Sequence, residues 1–247
     1  MKITGIIPAR YYSTRFVGKP LADIYGKTMI EHVYERASRS DSLTSVTVAT
    51  DDERILRNVK EFGGGAVLTS SHHKSGTDRI AEAVAKMDID DTDLIVNVQG
   101  DQPLLEPAMV DEVIRPFIDD PSLEMGTVSC RIKAEEELRN PNVVKVVVDK
   151  DGFALYFSRY PIPYVREKET SVYFRKHIGT YVYRKDFLMR FTKMPQSDLE
   201  KAEMLEQLRA LENGCRIKVI ETDFESIEVD TPEDLENVKR IIREKNR

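Results

Sequence analysis

The chain has 247 residues, 40% of them apolar, which is enough to bury a full hydrophobic core. Its 43 acidic residues outnumber its 37 basic ones, and the formal charge of −6 argues against a general nucleic-acid binder, whose affinity depends on neutralising phosphates. No apolar run reaches the roughly 20 residues that span a bilayer, and the two cysteines, Cys130 and Cys215, stand alone in strand-like segments. These features argue against a disulfide framework and predict a cytoplasmic protein with no membrane or nucleic-acid partner.

The first half of the chain alternates apolar runs with helical patterns. Strands buried on both faces are predicted over 3–8, 45–50, 66–68 and 94–98. Helices are predicted over 28–38, 53–62, 78–87 and 107–118. This alternation predicts a mostly parallel sheet flanked by helices, an α/β fold.

The second half of the chain is richer in strands. Strands are predicted over 126–132, 143–149, 154–158 and 177–183, with a charged gap that lacks periodicity at 166–170. Helical patterns over 199–212 and 232–244 flank a further strand at 216–220. We expect a single domain over 1–247 with a smaller β-rich lobe at about 126–185.

The segment after the first predicted strand carries fixed positive charge. It reads A-R-Y-Y-S-T-R-F-V-G-K and contains three cations and two hydroxyls: Arg10, Arg15, Lys19, Ser13 and Thr14. Parallel α/β sheets place ligands at the C-terminal ends of their strands, and guanidinium and ammonium groups there suit phosphates. The segment predicts an anion site, and taken alone it leaves a solvated basic loop equally open.

Two carboxylates stand at the ends of other segments. Asp101 follows the run V-N-V-Q-G, and Asp230 precedes a helix that begins near Pro232. Two carboxylates from separate loops beside a triphosphate would supply the few protein oxygens that Mg²⁺ takes. On local sequence alone, a turn role for Asp101 and a capping role for Asp230 with Thr231 are the favoured alternatives.

A third cluster, K-S-G-T-D-R at 74–79, stands at a predicted helix start. Backbone amides at such a position bind a base or a phosphate edge. Helix capping by Ser75 or Thr77 explains the same residues without any ligand.

Eight short motifs occur in an order that resembles the 3-deoxy-manno-octulosonate cytidylyltransferase family. The resemblance runs from about residue 3 to residue 235, and its motifs are I-I-P-A-R-Y-x-S-T-R-x-x-G-K-P-L, V-A-T-D-D, S-G-T-D-R, V-N-V-Q-G-D-Q-P, A-L-Y-F-S-R, K-H-I-G-T-Y, E-M-L-E-Q-L-R and V-D-T-P-E-D-L. Each motif is weak by itself, and together they are specific.

The resemblance implies a glycosyltransferase-A-like nucleotidyltransferase fold with a smaller β-rich dimerisation lobe, and hence a homodimer. It implies an enzyme that joins CMP from CTP to the anomeric hydroxyl of an acidic eight-carbon sugar, 3-deoxy-manno-octulosonate (KDO), and releases pyrophosphate. Mg²⁺ is the implied cofactor, and lipopolysaccharide biosynthesis is the implied use of the product.

The resemblance also implies roles for residues of this sequence. The nucleotide loop falls on Pro8, Ala9, Arg10, Ser13, Arg15 and Lys19, with Arg15 and Lys19 stabilising the leaving pyrophosphate. The cytosine side falls on Ser75, Gly76 and Gln99, and the metal pair on Asp101 and Asp230. The sugar-acid contacts fall on Arg159, His177, Tyr181, Glu206 and Gln207.

Without the resemblance, the sugar-side residues have ordinary explanations. A lone histidine in an alternating strand, such as His177, is usually structural. Glu206 and Gln207 would usually form the solvated face of a helix whose apolar stripe contains Leu205 and Leu208.

Two positions depart from the family pattern, and the substrate stays open. Val17 stands where a proline usually precedes the Gly-Lys pair, and Gln102 stands where Glu is frequent. The sequence is also compatible with activation of the 8-amino analogue of KDO, or of another acidic sugar such as a sialic-acid-like substrate. A non-catalytic nucleotide-binding module is a further alternative, disfavoured by the presence of both carboxylates. A NAD-binding Rossmann protein is disfavoured because no G-x-G-x-x-G follows the first strand.

Overall fold

The computed structural model describes residues 1–13, 15–167 and 172–245. Thr14 and part of the charged gap at 166–170 therefore lie outside the described residues. The chain divides into two compact units, one formed by Met1–Asp111 with Ser226–Arg247 and the other by Glu112–Glu225. The lobe predicted at 126–185 falls within the second unit, and the single domain over 1–247 stays a prediction.

The first part of the chain alternates strands and helices as predicted. In chain order its elements are β1 (Ile3–Ala9), a 3₁₀ turn (Lys19–Leu21), β2 (Asp23–Ile24), β3 (Lys27–Thr28), α1 (Met29–Ala37), β4 (Ser45–Thr50), α2 (Glu53–Glu61), β5 (Gly65–Leu68), α3 (Gly76–Ala85), β6 (Leu94–Asn97) and α4 (Pro107–Asp119). The small β2–β3 hairpin and the 3₁₀ turn were not expected from the sequence, because two-residue strands leave no periodicity to detect.

The remaining elements alternate less regularly. They are β7 (Met125–Arg131), α5 (Glu135–Arg139), β8 (Lys145–Val148), β9 (Ala154–Ser158), β10 (Arg175–Arg184), α6 (Lys185–Phe191), α7 (Asp198–Glu203), α8 (Leu208–Glu212), β11 (Ile217–Thr222) and α9 (Pro232–Lys245). The single helix predicted over 199–212 is wrong: Met204 adopts a left-handed conformation with φ 53°, and α7 ends there.

The first unit is built on a parallel sheet in the order β6, β1, β4 and β5. The strands β1 and β6 are buried on both faces, which agrees with their continuous apolar sequences. Beside the sheet, Ile24, Met29, Leu104, Val229 and Val238 form a buried apolar cluster. This cluster fixes the segments that follow β6 and precede α9, and both segments carry predicted site residues.

The second unit contains a mixed sheet. The strand β7 pairs parallel with β11 and antiparallel with β10, and β8 pairs antiparallel with both β10 and β9. The register of β10 against β7 shifts between Ile178 and Tyr181, an irregularity that changes which side chains lie opposite each other. Among the residues that the structure describes, no helix has both the length and the apolar character needed to cross a membrane.

Gly100 provides a test of how closely β1 and the end of β6 approach. A Cβ atom at residue 100 would lie 2.7 Å from the Pro8 carbonyl oxygen, so the backbone would have to move. We expect Gly100→Ala to lower the free energy of unfolding by about 1–3 kcal/mol, measured by urea denaturation.

Gly76→Ala is the matched control for this substitution. Its Cβ would lie 3.4 Å from the Pro8 Cγ atom, an ordinary contact, at the first residue of α3. We expect its free energy of unfolding to change by about 0.5 kcal/mol or less. Equal losses of stability in the two variants would contradict the close approach at Gly100.

Candidate active site

The loop after β1 is folded back on itself. Gly18 donates its N–H to the Tyr11 carbonyl at 2.8 Å, and its φ of 73° is a conformation that glycine adopts without strain. The Arg54 guanidinium stacks 3.3 Å from the centre of the Tyr11 ring and forms an ion pair with Asp52, the N-cap of α2. These contacts hold both ends of the loop that leads to Lys19.

This loop lines a recess of about 600 Å³ in the first unit. The recess brings together most of the residues predicted for the nucleotide and the metal: Pro8, Ala9, Arg10, Ser13, Arg15, Lys19, Gln99, Asp101 and Asp230. Residues from the ends of β1 and β6 and from the segment before α9 therefore converge. The predicted residues of β1 and of the segment after β6 therefore lie at the C-terminal ends of parallel strands.

The Lys19 ammonium contacts both predicted metal-binding carboxylates in this recess. Its Nζ lies 2.9 Å from an Asp101 carboxylate oxygen and 3.4 Å from an Asp230 carboxylate oxygen, and it donates to the Val229 carbonyl at 2.7 Å. The other Asp230 oxygen lies 2.9 Å from the Arg15 guanidinium. The side chain of Lys19 is 14% exposed, whereas that of Arg15 is 63% exposed. Arg15 is thus the cation more open to a ligand.

Backbone contacts explain why two carboxylates so distant in sequence meet. Val229 donates its N–H to the Asp101 carbonyl at 2.9 Å, which ties the two segments together. Asp234 performs the capping that the sequence left open for Asp230, because its carboxylate accepts the N–H groups of Asp230 and Thr231 at 3.0 and 2.8 Å. The Asp230 carboxylate is thereby left to face the two cations.

Glu228 is a third carboxylate near this centre, and the sequence did not single it out. Part of its surface remains in solvent, but the surrounding protein and the negative charge of Asp101 raise its pKa to about 7. Its Oε1 accepts a hydrogen bond from the buried Gln102 amide at 3.3 Å. The residue that departs from the family pattern, Gln102, therefore contacts a carboxylate without adding another negative charge.

The Asp101 and Asp230 pair fits a magnesium ion. Both are oxygen ligands that approach the same ammonium, so they stand close enough to share a cation. Within residues 1–13, 15–167 and 172–245, no three His, Cys, Asp or Glu side chains are grouped as a metal site. A pair of carboxylates is enough for Mg²⁺, which completes its shell with water and substrate phosphates.

A second recess of about 540 Å³ adjoins the same loop through shared lining residues Pro8, Ala9, Arg10 and Gln99. Ser75 and Gly76, the predicted cytosine-side residues, also line it. Ser75 is the N-cap of α3, and its Oγ accepts the Asp78 N–H at 3.0 Å, which is the capping role that the sequence left open.

His73, Lys74 and Arg79 also line the second recess, and the sequence assigned no role to them. Arg79 is buried and forms an ion pair with Asp51 at 2.9 Å, while it donates to Thr69 Oγ1 at 2.7 Å. No sequence signal pointed to Arg79, because its burial and its pairing with Asp51 arise only in the folded chain.

In the second unit, Arg159 follows β9 and is tightly held. Its guanidinium donates to the carbonyls of Glu203, Pro141 and Met204 at 2.7, 2.9 and 3.3 Å, and its backbone N–H donates to the Glu203 carboxylate at 2.9 Å. The guanidinium therefore bonds only neutral acceptors among these contacts.

His177 and Tyr181 lie on β10 and belong to one group of packed aromatic rings. The His177 ring packs edge to face on Phe157 and at a tilt against Tyr181. The His177 ring lies 5.2 Å from Phe157 and 5.3 Å from Tyr181, and its Nε2 lies 2.8 Å from Thr127 Oγ1. Thr127 Oγ1 also lies within hydrogen-bond distance of the carbonyls of Ile178 and Thr180, at 3.2 and 2.9 Å. Burial lowers the pKa of His177 to about 3, so the ring is neutral at physiological pH.

Glu206 and Gln207 lie in the turn between α7 and α8. Burial and the negative charge of Glu206 raise the pKa of Tyr181. Gln207 is 4% exposed, which makes the solvated-face explanation wrong for this residue. Its Nε2 makes no hydrogen bond to any part of the chain that the structure describes. A buried amide of this kind is ready for a polar ligand or a water molecule.

Known cytidylyltransferases are similar to this chain over most of its length. A family model described as cytidylyltransferase matches residues 4–227. A 3-deoxy-manno-octulosonate cytidylyltransferase of Geotalea uraniireducens is 57% identical, with 96% of this chain and 98% of the relative covered. The corresponding enzyme of Geobacter sulfurreducens is 56% identical, with the same coverage of both chains.

Solved structures show the same likeness. A CMP:2-keto-3-deoxy-manno-octonic acid synthetase complexed with CTP matches with a TM-score of 0.94 and 43% identity, covering 99% of this chain and 100% of the other. A cytidylyltransferase from Leptospira borgpetersenii matches over 99% of this chain and 87% of its own length, with a TM-score of 0.66 and 18% identity, which supports the fold alone.

The depressed pKa of His177 predicts an acid-dependent loss of stability. In the unfolded chain this ring titrates near 6.5, and in the folded chain near 3, so below pH 6.5 the unfolded state binds the extra proton. We expect the contribution of His177 to fall by about 1.4 kcal/mol per pH unit between these values. Urea denaturation of the wild type and His177→Gln from pH 7.5 to 5 measures it. The stability difference between the two proteins should shrink as the pH falls, and parallel curves would contradict the assignment.

Proposed function

This chain belongs to the 3-deoxy-manno-octulosonate cytidylyltransferase family, and we propose from this that it transfers CMP from CTP to the anomeric hydroxyl of KDO and releases pyrophosphate. The protein is a nucleotidyltransferase with an α/β nucleotidyltransferase fold. The observation that carries the proposal is the convergence of the loop cations with Asp101 and Asp230 in one recess of about 600 Å³.

The first unit would bind the triphosphate through its cations. Arg10 and Arg15 line the recess and keep exposed side chains that phosphate oxygens could reach, although Arg15 is also paired with Asp230 at 2.9 Å. As the sugar hydroxyl attacks the α-phosphorus, negative charge grows on the leaving pyrophosphate. Fixed guanidinium and ammonium groups stabilise that charge without having to reorganise.

Asp101 and Asp230 would hold Mg²⁺ in this recess. Bound there, the ion would supply positive charge to the phosphates and lower the pKa of a coordinated hydroxyl. Lys19 neutralises the same two carboxylates from the protein side and keeps them close together in the absence of other cations. In our proposal, Lys19 therefore keeps the two carboxylates close together and also adds positive charge to the recess.

The second unit would bind the acidic sugar. Arg159 has the guanidinium geometry that pairs with a carboxylate, and Gln207 offers a buried amide for a sugar hydroxyl. His177 is neutral, so it would act as a fixed polar contact and not as a positive charge. Glu206 and Tyr181 would complete the hydroxyl contacts.

No covalent intermediate on the protein is part of the proposal. Burial raises the pKa of the Cys130 thiol, and also that of the Cys215 thiol, so neither is an activated nucleophile. Direct displacement at the α-phosphorus needs only binding, orientation and charge stabilisation.

A substrate panel tests the reaction. With CTP and Mg²⁺, we expect KDO to support pyrophosphate release well above the rate without sugar, and a sialic-acid-like substrate not to do so. The 8-amino analogue of KDO belongs in the same panel, since it differs at the position that separates the two remaining candidates. The proposal fails if none of these sugars raises the rate above the sugar-free control.

Asp101→Asn tests the metal pair. The substitution removes one negative charge and keeps the shape of the side chain, so we expect turnover to fall by at least about a hundredfold while the thermal melting temperature changes little. Asp88→Asn is the matched control, because Asp88 is fully exposed and is paired with Lys2 at 3.5 Å. Full activity of Asp101→Asn at saturating Mg²⁺ would show that the metal role is misassigned.

Three further expectations from the sequence stay predictions. They are the homodimer, the cytoplasmic location, and the use of the product in lipopolysaccharide biosynthesis, which follows from the activity of the family.

A further inference from the structure

Lys145, on β8, is a fully buried lysine in the second unit, with 0% of its surface exposed. Its Nζ donates to three backbone carbonyls, those of Asn140, Val143 and Arg159, at 3.0, 2.6 and 2.5 Å. All three ammonium hydrogens are therefore used. Among the described residues, no carboxylate lies within ion-pair distance of Nζ, and burial together with the charge of Arg159 lowers its pKa.

Burying an ammonium without a carboxylate partner costs more free energy than burying an apolar side chain of similar size. A methionine of similar length would pack in the same position with no charge to desolvate. Methionine would, however, leave the three backbone carbonyls without a donor, so the contacts of the ammonium show what Lys145 holds in place.

Those contacts converge on Arg159. Lys145 binds the Arg159 carbonyl, and it also binds the carbonyls of Asn140 and Val143, on either side of Pro141. The Pro141 carbonyl in turn accepts a hydrogen bond from the Arg159 guanidinium at 2.9 Å. Lys145 thus holds both the main chain of Arg159 and the loop that supports its side chain.

The charge of Arg159 is not neutralised by these contacts. Its guanidinium hydrogen bonds go to the carbonyls of Glu203, Pro141 and Met204. The Glu203 carboxylate instead accepts the Arg159 backbone N–H and the Ser158 hydroxyl, at 2.9 and 2.7 Å. Two cations, Lys145 and Arg159, are therefore held together by neutral acceptors, an arrangement that leaves net positive charge for an anion.

We propose that Lys145 is a positioning residue that fixes Arg159 to receive the carboxylate of the sugar substrate. This inference rests on the proposed function, in which Arg159 binds the acidic sugar. Lys145 itself is fully buried and acts through Arg159.

Michaelis constants measured separately for KDO and CTP test this role. In Lys145→Met we expect the KM for KDO to rise about tenfold to a hundredfold, because a misplaced guanidinium loses its carboxylate contact. The KM for CTP should stay within about twofold, since the loop cations lie in the other unit. Lys133→Met is the control: Lys133 is an exposed lysine of the same unit, paired with Glu225 at 2.7 Å, and both Michaelis constants of this variant should be unchanged.

A second measurement separates positioning from general damage. Calorimetry compares binding of KDO with binding of its neutral carboxamide, and the wild type should prefer the acid. Lys145→Met should lose most of that preference, which a loss of stability alone would not cause. If Lys145→Met shows no cooperative melting transition, Lys145→Gln replaces it in both measurements; because it keeps two hydrogen-bond donors, we expect changes in the same direction but smaller.

Unchanged constants, an equal rise for both substrates, or an unchanged preference for the acid would overturn the role of Lys145 while the wild-type reaction stands. A wild-type enzyme that releases no pyrophosphate with any acidic sugar would overturn the proposed function, and this role with it.

Discussion

The ion-pair contacts of Lys19 with Asp101 and Asp230 are the interaction on which the first unit depends. Two carboxylates in one recess repel each other, and a single ammonium at 2.9 and 3.4 Å offsets that repulsion. The sheet places Asp101 beyond β6, and the hydrogen bond from Val229 to the Asp101 carbonyl brings Asp230 alongside. Leu104 and Val229, one from each segment, are buried in the same apolar cluster, which fixes both segments. The fold and the site are stabilised by the same few contacts.

The pattern of buried strands predicted where this centre would form. Continuous apolar runs identified β1 and β6, and the position of parallel strands' C-terminal ends grouped Arg10 with Asp101. The pairing of Asp101 with Asp230 was raised from the two segments as a magnesium hypothesis, but local sequence favoured a capping role for Asp230, and only the family resemblance implied the metal pair. Lys19 and Asp230 are separated by 211 positions, so no local pattern joins them. The raised pKa of Glu228 was not predictable, since it arises from neighbours that only the folded chain supplies.

The second unit shows where periodicity gives the wrong environment. Residues 143–149 form a predicted strand, and a lysine within it would be expected to reach solvent; Lys145 is instead enclosed by three carbonyls. Periodicity alone places Gln207 on a polar helix face, whereas the family resemblance implies a sugar contact; the structure buries this residue. Lys145 is satisfied by backbone carbonyls, whereas the Gln207 Nε2 has no hydrogen bond within the described residues, and a hydrophobic pattern records neither arrangement.

The break at Met204 has a consequence for recognition of a negatively charged group. In an uninterrupted helix over 199–212, the carbonyls of Glu203 and Met204 would each be consumed by the amide four residues ahead. The left-handed residue redirects the chain, and the Leu208 N–H bonds the Leu205 carbonyl instead. The carbonyl oxygens of Glu203 and Met204 are thereby released from helical hydrogen bonding and accept hydrogen bonds from the Arg159 guanidinium. A defect in secondary structure thus creates the acceptors that let an arginine be immobilised without losing its charge.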